Sequence, residues 1–291
     1  MKALVLSGGA AKGAYQIGVL QRLLGELKTK YDIITGISVG AINAAYLAMF
    51  PHGQEVECIK NLEGIWRGLS TSDIYVNWIK FKYLSYIFAL FKSSLYNSSP
   101  LRHLVEEHYD PELIQQSGKK LRIGAVSLNT GEYRIFTENA SNMIDAILAS
   151  SSFPAAFCPI EMDNQLWTDG GVREITPLKV AITEGATEID VIVTSPKDSL
   201  EKTDYSNTPS LLKLGPRVID IMSSEIMKND LLRATEINDL IKNGANIPGK
   251  SYIPIRIFRP ENKLVESSLL FEQQYIGPMI EQGYQDAIKL I

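Results

Sequence analysis

Short apolar runs alternate with longer amphipathic stretches along this chain. Ala3–Ser7 is a compact apolar run followed by two glycines and reads as a first strand. From Gly13 to Lys28 the period lengthens, and Ile17, Leu20, Leu24 and Leu27 fall on one face of a helix. Ile33–Thr35 reads as a short strand. Val39 to Met49 reads as a helix of mostly small residues, able to pack closely on a sheet. Leu121–Leu128 and Tyr133–Thr137 read as strands joined through Asn129-Thr130-Gly131, where Gly131 can take a positive φ. Gln165–Thr168 and Ile189–Thr194 read as further strands. Thr203 to Leu214 contains Asn207-Thr208-Pro209 and reads as a surface loop. Arg217 to Lys242 reads as a long helix ending near Gly244, Tyr252–Phe258 as a late strand and Glu272 to Leu290 as a final helix.

Strands alternating with helices predict an α/β fold with a mostly parallel central sheet covered on both faces. No linker divides the 291 residues, so one domain is expected. Its motif-bearing core runs over about 3–185, with the region of about 205–291 packed on it. At 45% hydrophobic and 21% charged residues, with a net charge of −4, the chain has the balance of a globular protein and argues against a nucleic-acid partner. Cys58 and Cys158 show neither metal-ligand spacing nor a disulfide framework, and read as reduced core thiols of an intracellular protein. The first apolar run is too short for a signal peptide. Ile33 to Phe50 is uncharged, but Gly36, Ser38, Gly40, Asn43 and Pro51 break it into strand, turn and helix rather than a membrane span.

Three short motifs carry candidate chemistry. Gly36-Ile37-Ser38-Val39-Gly40 lies between a strand and a helix, the setting of a nucleophile elbow. A serine nucleophile normally needs a histidine, yet His52, His103 and His108 are the three present and none follows residue 108. Ser7-Gly8-Gly9-Ala10-Ala11-Lys12-Gly13 follows the first strand. Its small residues expose backbone N–H groups in an anion cradle, suited to an oxyanion or to a phosphate. The phosphate-loop patterns do not fit, because Lys12 precedes Gly13 and Ala14 follows. Asp169-Gly170-Gly171 closes the strand Gln165–Thr168. It suits either a base raised by burial or a simple turn.

These motifs, in this order, resemble the patatin-like phospholipase family with its Ser–Asp dyad. Ala149-Ser150-Ser151-Ser152-Phe153-Pro154-Ala155-Ala156-Phe157-Cys158-Pro159 is similar to the family's segment ahead of its aspartate, and Gly283-Tyr284-Gln285-Asp286-Ala287 to its closing helix. The resemblance implies a three-layer α/β/α sandwich, Ser38 as nucleophile and Asp169 as base. Gly8, Gly9 and Ala10 would form the oxyanion loop, supported by Lys12, Gly13, Gly36, Gly40, Gly170 and Gly171. No cofactor or metal is required. One position departs from the family. Ala10 stands where a third glycine is usual, and its Cβ penalises φ > 0 by about 1 kcal/mol or more. The implied activity is hydrolysis of acyl lipids by a cytoplasmic protein with peripheral membrane association. A carboxylesterase or thioesterase with the same dyad, a non-catalytic lipid binder and a phosphate-loop protein remain alternatives.

Residues Ile74 to Tyr96 bear on substrate. Tyr75, Trp78, Phe81, Tyr83, Tyr86, Phe88, Phe91 and Tyr96 are interrupted by Lys80, Lys82 and Lys92. That mixture suits a lid or interfacial helix on a lipid surface, and equally a buried hairpin or a dimer contact.

Overall fold

The structure, a computed structural model, describes residues 1–79, 91–197, 200, 211–265 and 267–291. Lys80, Phe81, Lys82, Tyr83, Tyr86 and Phe88 lie outside these, as does most of the predicted 203–214 loop.

β1 (Lys2–Leu6) lies inside the sheet, parallel to β2 (Ile33–Gly36) on one side and to β7 (Glu188–Ile192) on the other. β3 (Lys120–Ser127) continues the parallel order beyond β2, and β8 (Ile255–Phe258) does so beyond β7. β4 (Tyr133–Thr137), β5 (Ile160–Met162) and β6 (Gln165–Asp169) join antiparallel. Among the described residues the order is β5-β6-β3-β2-β1-β7-β8, with β4 against β3. The β3–β4 hairpin turns at Gly131, whose φ is 73°.

Alternation along the strands turns apolar side chains into both flanking layers. Leu4 and Leu6 face α1 (Gly13–Leu20), α2 (Val39–Ala48), α3 (Glu55–Gly68) and the C-terminal helix, and Ala3 and Val5 face the opposite layer. Between α3 and β3 the chain forms α4 (Thr71–Ile74), α5 (Ser99–His108) and α6 (Pro111–Gln116), and α7 (Met143–Ser150) precedes β5. The opposite layer is α8 (Leu178–Thr183) and α9 (Leu211–Lys242), which bury Leu178, Ala181, Met227 and Leu231. The final helix α10 (Gln273–Leu290) returns to the first layer. The fold is a three-layer α/β/α sandwich. Among the described residues no helix is long and apolar enough to cross a membrane.

Boundaries shift for local reasons. α9 begins at Leu211, so the expected loop ends earlier than Leu214; Leu-Leu-Lys-Leu is a run of strong helix formers. β8 begins after Pro254, which has no N–H to donate to a ladder, rather than at Tyr252. α3 was not anticipated, although its buried Cys58, Ile59, Leu62 and Trp66 follow the helical period.

One pairing positions the site. β4 covers one edge of β3 from Arg122 to Val126. The opposite edge is shared: β2 pairs with Lys120 to Ile123, and β6 pairs with Ala125 to Ser127. β2 runs parallel to β3 and β6 antiparallel, so their C-terminal ends approach each other across Gly124. Gly36 ends β2 there, and Asp169 ends β6.

Candidate active site

Two residues past Gly36, Ser38 adopts φ 56° and ψ −129°, and α2 starts at Val39. This backbone conformation costs a non-glycine residue about 1–3 kcal/mol. The flanking glycines make it sterically feasible. A Cβ at Gly36 would overlap the Gly40 carbonyl, and one at Gly40 would overlap the Leu6 carbonyl. The N–H groups of Gly40 and Ala41 are taken by the carbonyls of Ile37 and Ser38. Val39, the first residue of α2, has no such partner among the described residues.

The serine run after α7 clasps this turn. Ser38 N–H donates to Ser150 Oγ at 3.1 Å, and Ser151 Oγ donates to the Ser38 carbonyl at 3.2 Å. The Ser152 carbonyl accepts the Asp169 N–H at 3.1 Å and the Thr168 hydroxyl at 2.8 Å. One short segment thus holds the backbone of both Ser38 and Asp169. Sequence reading placed Ser150, Ser151 and Ser152 in a family-like stretch without assigning them this task.

Asp169 is 2% exposed and Ser38 9%. Asp169 Oδ1 accepts the Gly171 N–H at 2.7 Å. Burial raises the Asp169 pKa to about 7, against the smaller lowering effects of the Gly171 N–H and the neighbouring Ser38 side chain. The Ser38 hydroxyl is close enough to act on that pKa, yet among the described residues Asp169 Oδ2 has no partner inside ordinary hydrogen-bond distance. The buried Asp169 carboxylate and the Ser38 hydroxyl are thus neighbours.

The glycine loop lies against the same serine. A side chain at Gly8 would start 3.3 Å from Ser38 Cβ. Gly8 N–H is committed to the Ile175 carbonyl at 3.0 Å, so this member of the expected oxyanion trio is not a free donor. Ala11 N–H goes to the Ser268 carbonyl and Lys12 N–H to that of Gly9. Gly9 and Ala10 keep N–H groups without a protein acceptor among the described residues. Ala10 has φ 50°, so the turn forms with alanine at the left-handed cost that glycine would avoid.

A buried polar chain joins the loop to the elbow helix. Trp66 Nε1 donates to Asn43 Oδ1 at 3.0 Å, Asn43 Nδ2 to Gln16 Oε1 at 2.8 Å, and Gln16 Nε2 to the Ser7 carbonyl at 2.8 Å. Gly13 opens α1 against Val39, and Gly170 packs on the Gly124 carbonyl. Lys12 Nζ donates to Ser195 Oγ at 3.1 Å, and its pKa is lowered by burial. The histidines are engaged elsewhere: His52 with Asp32 and Glu55, His103 with Glu106 and His108 with the Leu104 carbonyl. Among the described residues no cluster of His, Cys, Asp and Glu could hold a metal ion.

A family model described as patatin-like phospholipase matches residues 4–182. The cGAMP-activated phospholipase of Escherichia coli (strain TW11681) is 27% identical over 291 aligned positions, covering 84% of this chain and 78% of that protein. The probable lipid hydrolase 463L of Invertebrate iridescent virus 6 is 27% identical, covering 62% of this chain and 63% of the viral protein. The calcium-independent phospholipase A2-gamma of Rattus norvegicus is 25% identical, covering 77% of this chain and 32% of the rat protein.

The raised pKa of Asp169 gives a signed prediction for stability. Its folded pKa of about 7 lies above the unfolded value near 3.8. Its contribution is therefore fully favourable below about pH 4 and is lost as pH rises through about 7. Asp169→Asn is expected to be more stable than the wild type at pH 8, by up to about 4 kcal/mol, with the advantage vanishing near pH 4. Urea unfolding of both proteins from pH 4 to 9 measures this. A wild type that gains on the variant as pH rises would contradict the buried, proton-retaining Asp169.

Proposed function

The chain belongs to the patatin-like phospholipase family, and on that premise we propose that it is a serine lipid acyl hydrolase working through Ser38 and Asp169. The observation that carries this reading is the strained Ser38 turn beside a buried carboxylate whose Oδ2 has no hydrogen-bond partner among the described residues. Asp169 takes the Ser38 proton as Ser38 Oγ attacks the ester carbonyl carbon. Negative charge develops on the carbonyl oxygen and is met by the N–H groups of Gly9 and Ala10, with that of Val39 next to the serine. Such donors act in a dry site where they are worth several kcal/mol of barrier. Asp169 then returns the proton to the departing alcohol, leaving an acyl-serine. A water molecule, deprotonated by Asp169, attacks the acyl carbon; Asp169 then returns that proton to Ser38 Oγ as the acyl C–O bond breaks, freeing the fatty acid and the Ser38 hydroxyl.

The substrate class follows from the family. The surface on which that lipid is met is the finer part of this reading. Tyr75 and Trp78 anchor the ends of the aromatic segment. The Tyr75 ring lies 4.5 Å from that of Tyr96 and 5.7 Å from that of Phe157. Trp78 Nε1 donates to the Ser94 carbonyl at 3.0 Å, with Lys92 Nζ 5.2 Å from the centre of its ring. Between these anchors and α5, Phe91 is 83% exposed, and Val76 and Leu95 are exposed as well. Exposed apolar side chains beside an exposed lysine suit insertion at the edge of a lipid layer.

Ser38→Ala is expected to abolish ester hydrolysis and labelling by a fluorophosphonate probe in a folded protein. Replacing His52, His103 and His108 together by Gln should leave most of the activity. Strong labelling at another residue, or loss of activity with the histidines, contradicts the assignment.

The pH profile gives a second check. Asp169 must be ionised to accept a proton, so kcat/KM on a soluble ester should rise with pH along a limb centred at about 7. Glu174 is also pushed up to about 7, mainly by burial. Persistence of the limb in Glu174→Gln assigns it to Asp169, whereas its disappearance there transfers it to Glu174.

A third check separates lipid contact from packing. Phe91→Ser removes an exposed side chain, so the melting temperature and short-chain ester turnover should stay unchanged. Burying a phenylalanine is worth about 1.5–3 kcal/mol, so vesicle binding and long-chain hydrolysis should fall by roughly 10-fold or more. Unchanged vesicle binding would take Phe91 out of any lipid contact.

A further inference from the structure

Helix α9 lies beyond residue 182, where the match to the family model ends. Its buried Met227 and Leu231 pack in the same core as Ile175, Leu178 and Val193. Beside Leu231 stands Asp230. Its Oδ2 accepts two backbone donors, Ile175 N–H at 2.8 Å and Thr176 N–H at 2.9 Å. The carbonyl of that same Ile175 accepts the Gly8 N–H at 3.0 Å. Two hydrogen-bond steps therefore lead from the middle of α9 to the glycine loop.

Ile175 touches both halves of the site. A Cβ at Gly8 would lie 3.7 Å from Ile175 Cγ2 and 3.3 Å from Ser38 Cβ. A Cβ at Gly171, in the turn after Asp169, would lie 3.7 Å from Ile175 Cγ1. The far side of Gly8 is pinned as well, since its carbonyl accepts the Thr194 hydroxyl at 2.7 Å. With both sides held, the next two residues, Gly9 and Ala10, present their N–H groups in one orientation.

We propose that Asp230 is a positioning residue for the hydrolysis, holding the Ile175–Thr176 backbone so that Ile175 fixes the Gly8 peptide and the oxyanion donors that follow it. This rests on the reading of Ser38 and Asp169 as the reacting pair. A carboxylate accepting two N–H groups makes stronger bonds than a neutral acceptor. Without it, two inward-facing amides lose their acceptor and the segment must move to find others. Oxyanion donors tolerate little movement, since a displacement of about 1 Å can cost roughly 100-fold in rate.

The test compares Asp230→Ala, Asp230→Asn and Met227→Ala on a soluble short-chain ester, below their melting temperatures. Asn keeps an acceptor oxygen at the same place, and Met227→Ala loosens the packing of α9 while leaving both hydrogen bonds to Asp230 in place. Asp230→Ala should lower kcat by roughly 10- to 100-fold, with KM changing by less than about 3-fold. Asp230→Asn should recover kcat to within about 5-fold of the wild type. Met227→Ala should lower the melting temperature while keeping kcat. A wild-type kcat in Asp230→Ala overturns the proposal, and so does a kcat that simply follows melting temperature across the three variants. Should Asp230→Ala not fold, Asp230→Glu moves the acceptor by one methylene. A reduced kcat at unchanged melting temperature is then expected, and an unchanged kcat overturns the role. Ser38→Ala is measured in parallel. Turnover surviving there removes the reacting pair itself, whereas its loss alongside a normal Asp230→Ala overturns Asp230 alone.

Discussion

Two strands share a single edge of β3, and the candidate site exists because they do. β2 occupies the edge up to Ile123 and β6 from Ala125 onward, running in opposite directions. Each strand must leave the sheet where it meets the other. β2 leaves through the turn that carries Ser38, and β6 leaves through Asp169 and its two glycines. The backbone ladders of β3 therefore set the separation of the two candidate side chains, Ser38 and Asp169. A slip of either strand by one residue would turn its side chains to the other face and dismantle the pair.

The site concentrates unfavourable local terms. Ser38 and Ala10 sit at positive φ, and Asp169 is buried with a pKa raised to about 7. Rigid surroundings keep them there. Ser150 and Ser151 hold the Ser38 peptide from both ends, and the Trp66–Asn43–Gln16–Ser7 chain locks the elbow helix to the glycine loop. Strain of this kind persists only where the neighbours over-determine the geometry. On the proposed mechanism this is a pre-arranged pair, with N–H groups at Gly9 and Ala10 that have no protein acceptor among the described residues, so little reorganisation remains for the moment of reaction.

Much of this was legible in the sequence because it depends on local chemistry. The strand–turn–helix around Gly36 and Gly40, the small residues from Gly8 to Ala11 and the Asp169-Gly170-Gly171 turn each announce a backbone that side chains would block. The alternation of apolar periods announced the layers. The shared edge of β3 was not legible, since β5 and β6 are short strands and pairing direction is a long-range property. Nor was the commitment of Gly8 N–H to Ile175, which depends on a residue more than 160 positions away in the chain. The serine run from Ser150 to Ser152 was visible as a motif. Its work as a clasp lies in hydrogen bonds that no spacing rule encodes. Asp230 belongs to the same class, a helix carboxylate whose meaning appears only when α9 is laid against the Ile175 backbone.

The central claim is geometric: Ser38, Asp169 and the N–H groups of Gly9 and Ala10 converge on one reacting centre. An experimental structure of the protein inactivated by a long-chain alkylphosphonate tests it most directly, because the adduct mimics the tetrahedral intermediate. The account predicts phosphorus bonded to Ser38 Oγ, with its free oxygen about 3 Å from the Gly9 and Ala10 nitrogens. The Asp169 carboxylate should lie beside Ser38 Oγ, with no imidazole in reach. Phosphorus on another nucleophile, or a phosphoryl oxygen turned away from the glycine loop, would contradict it.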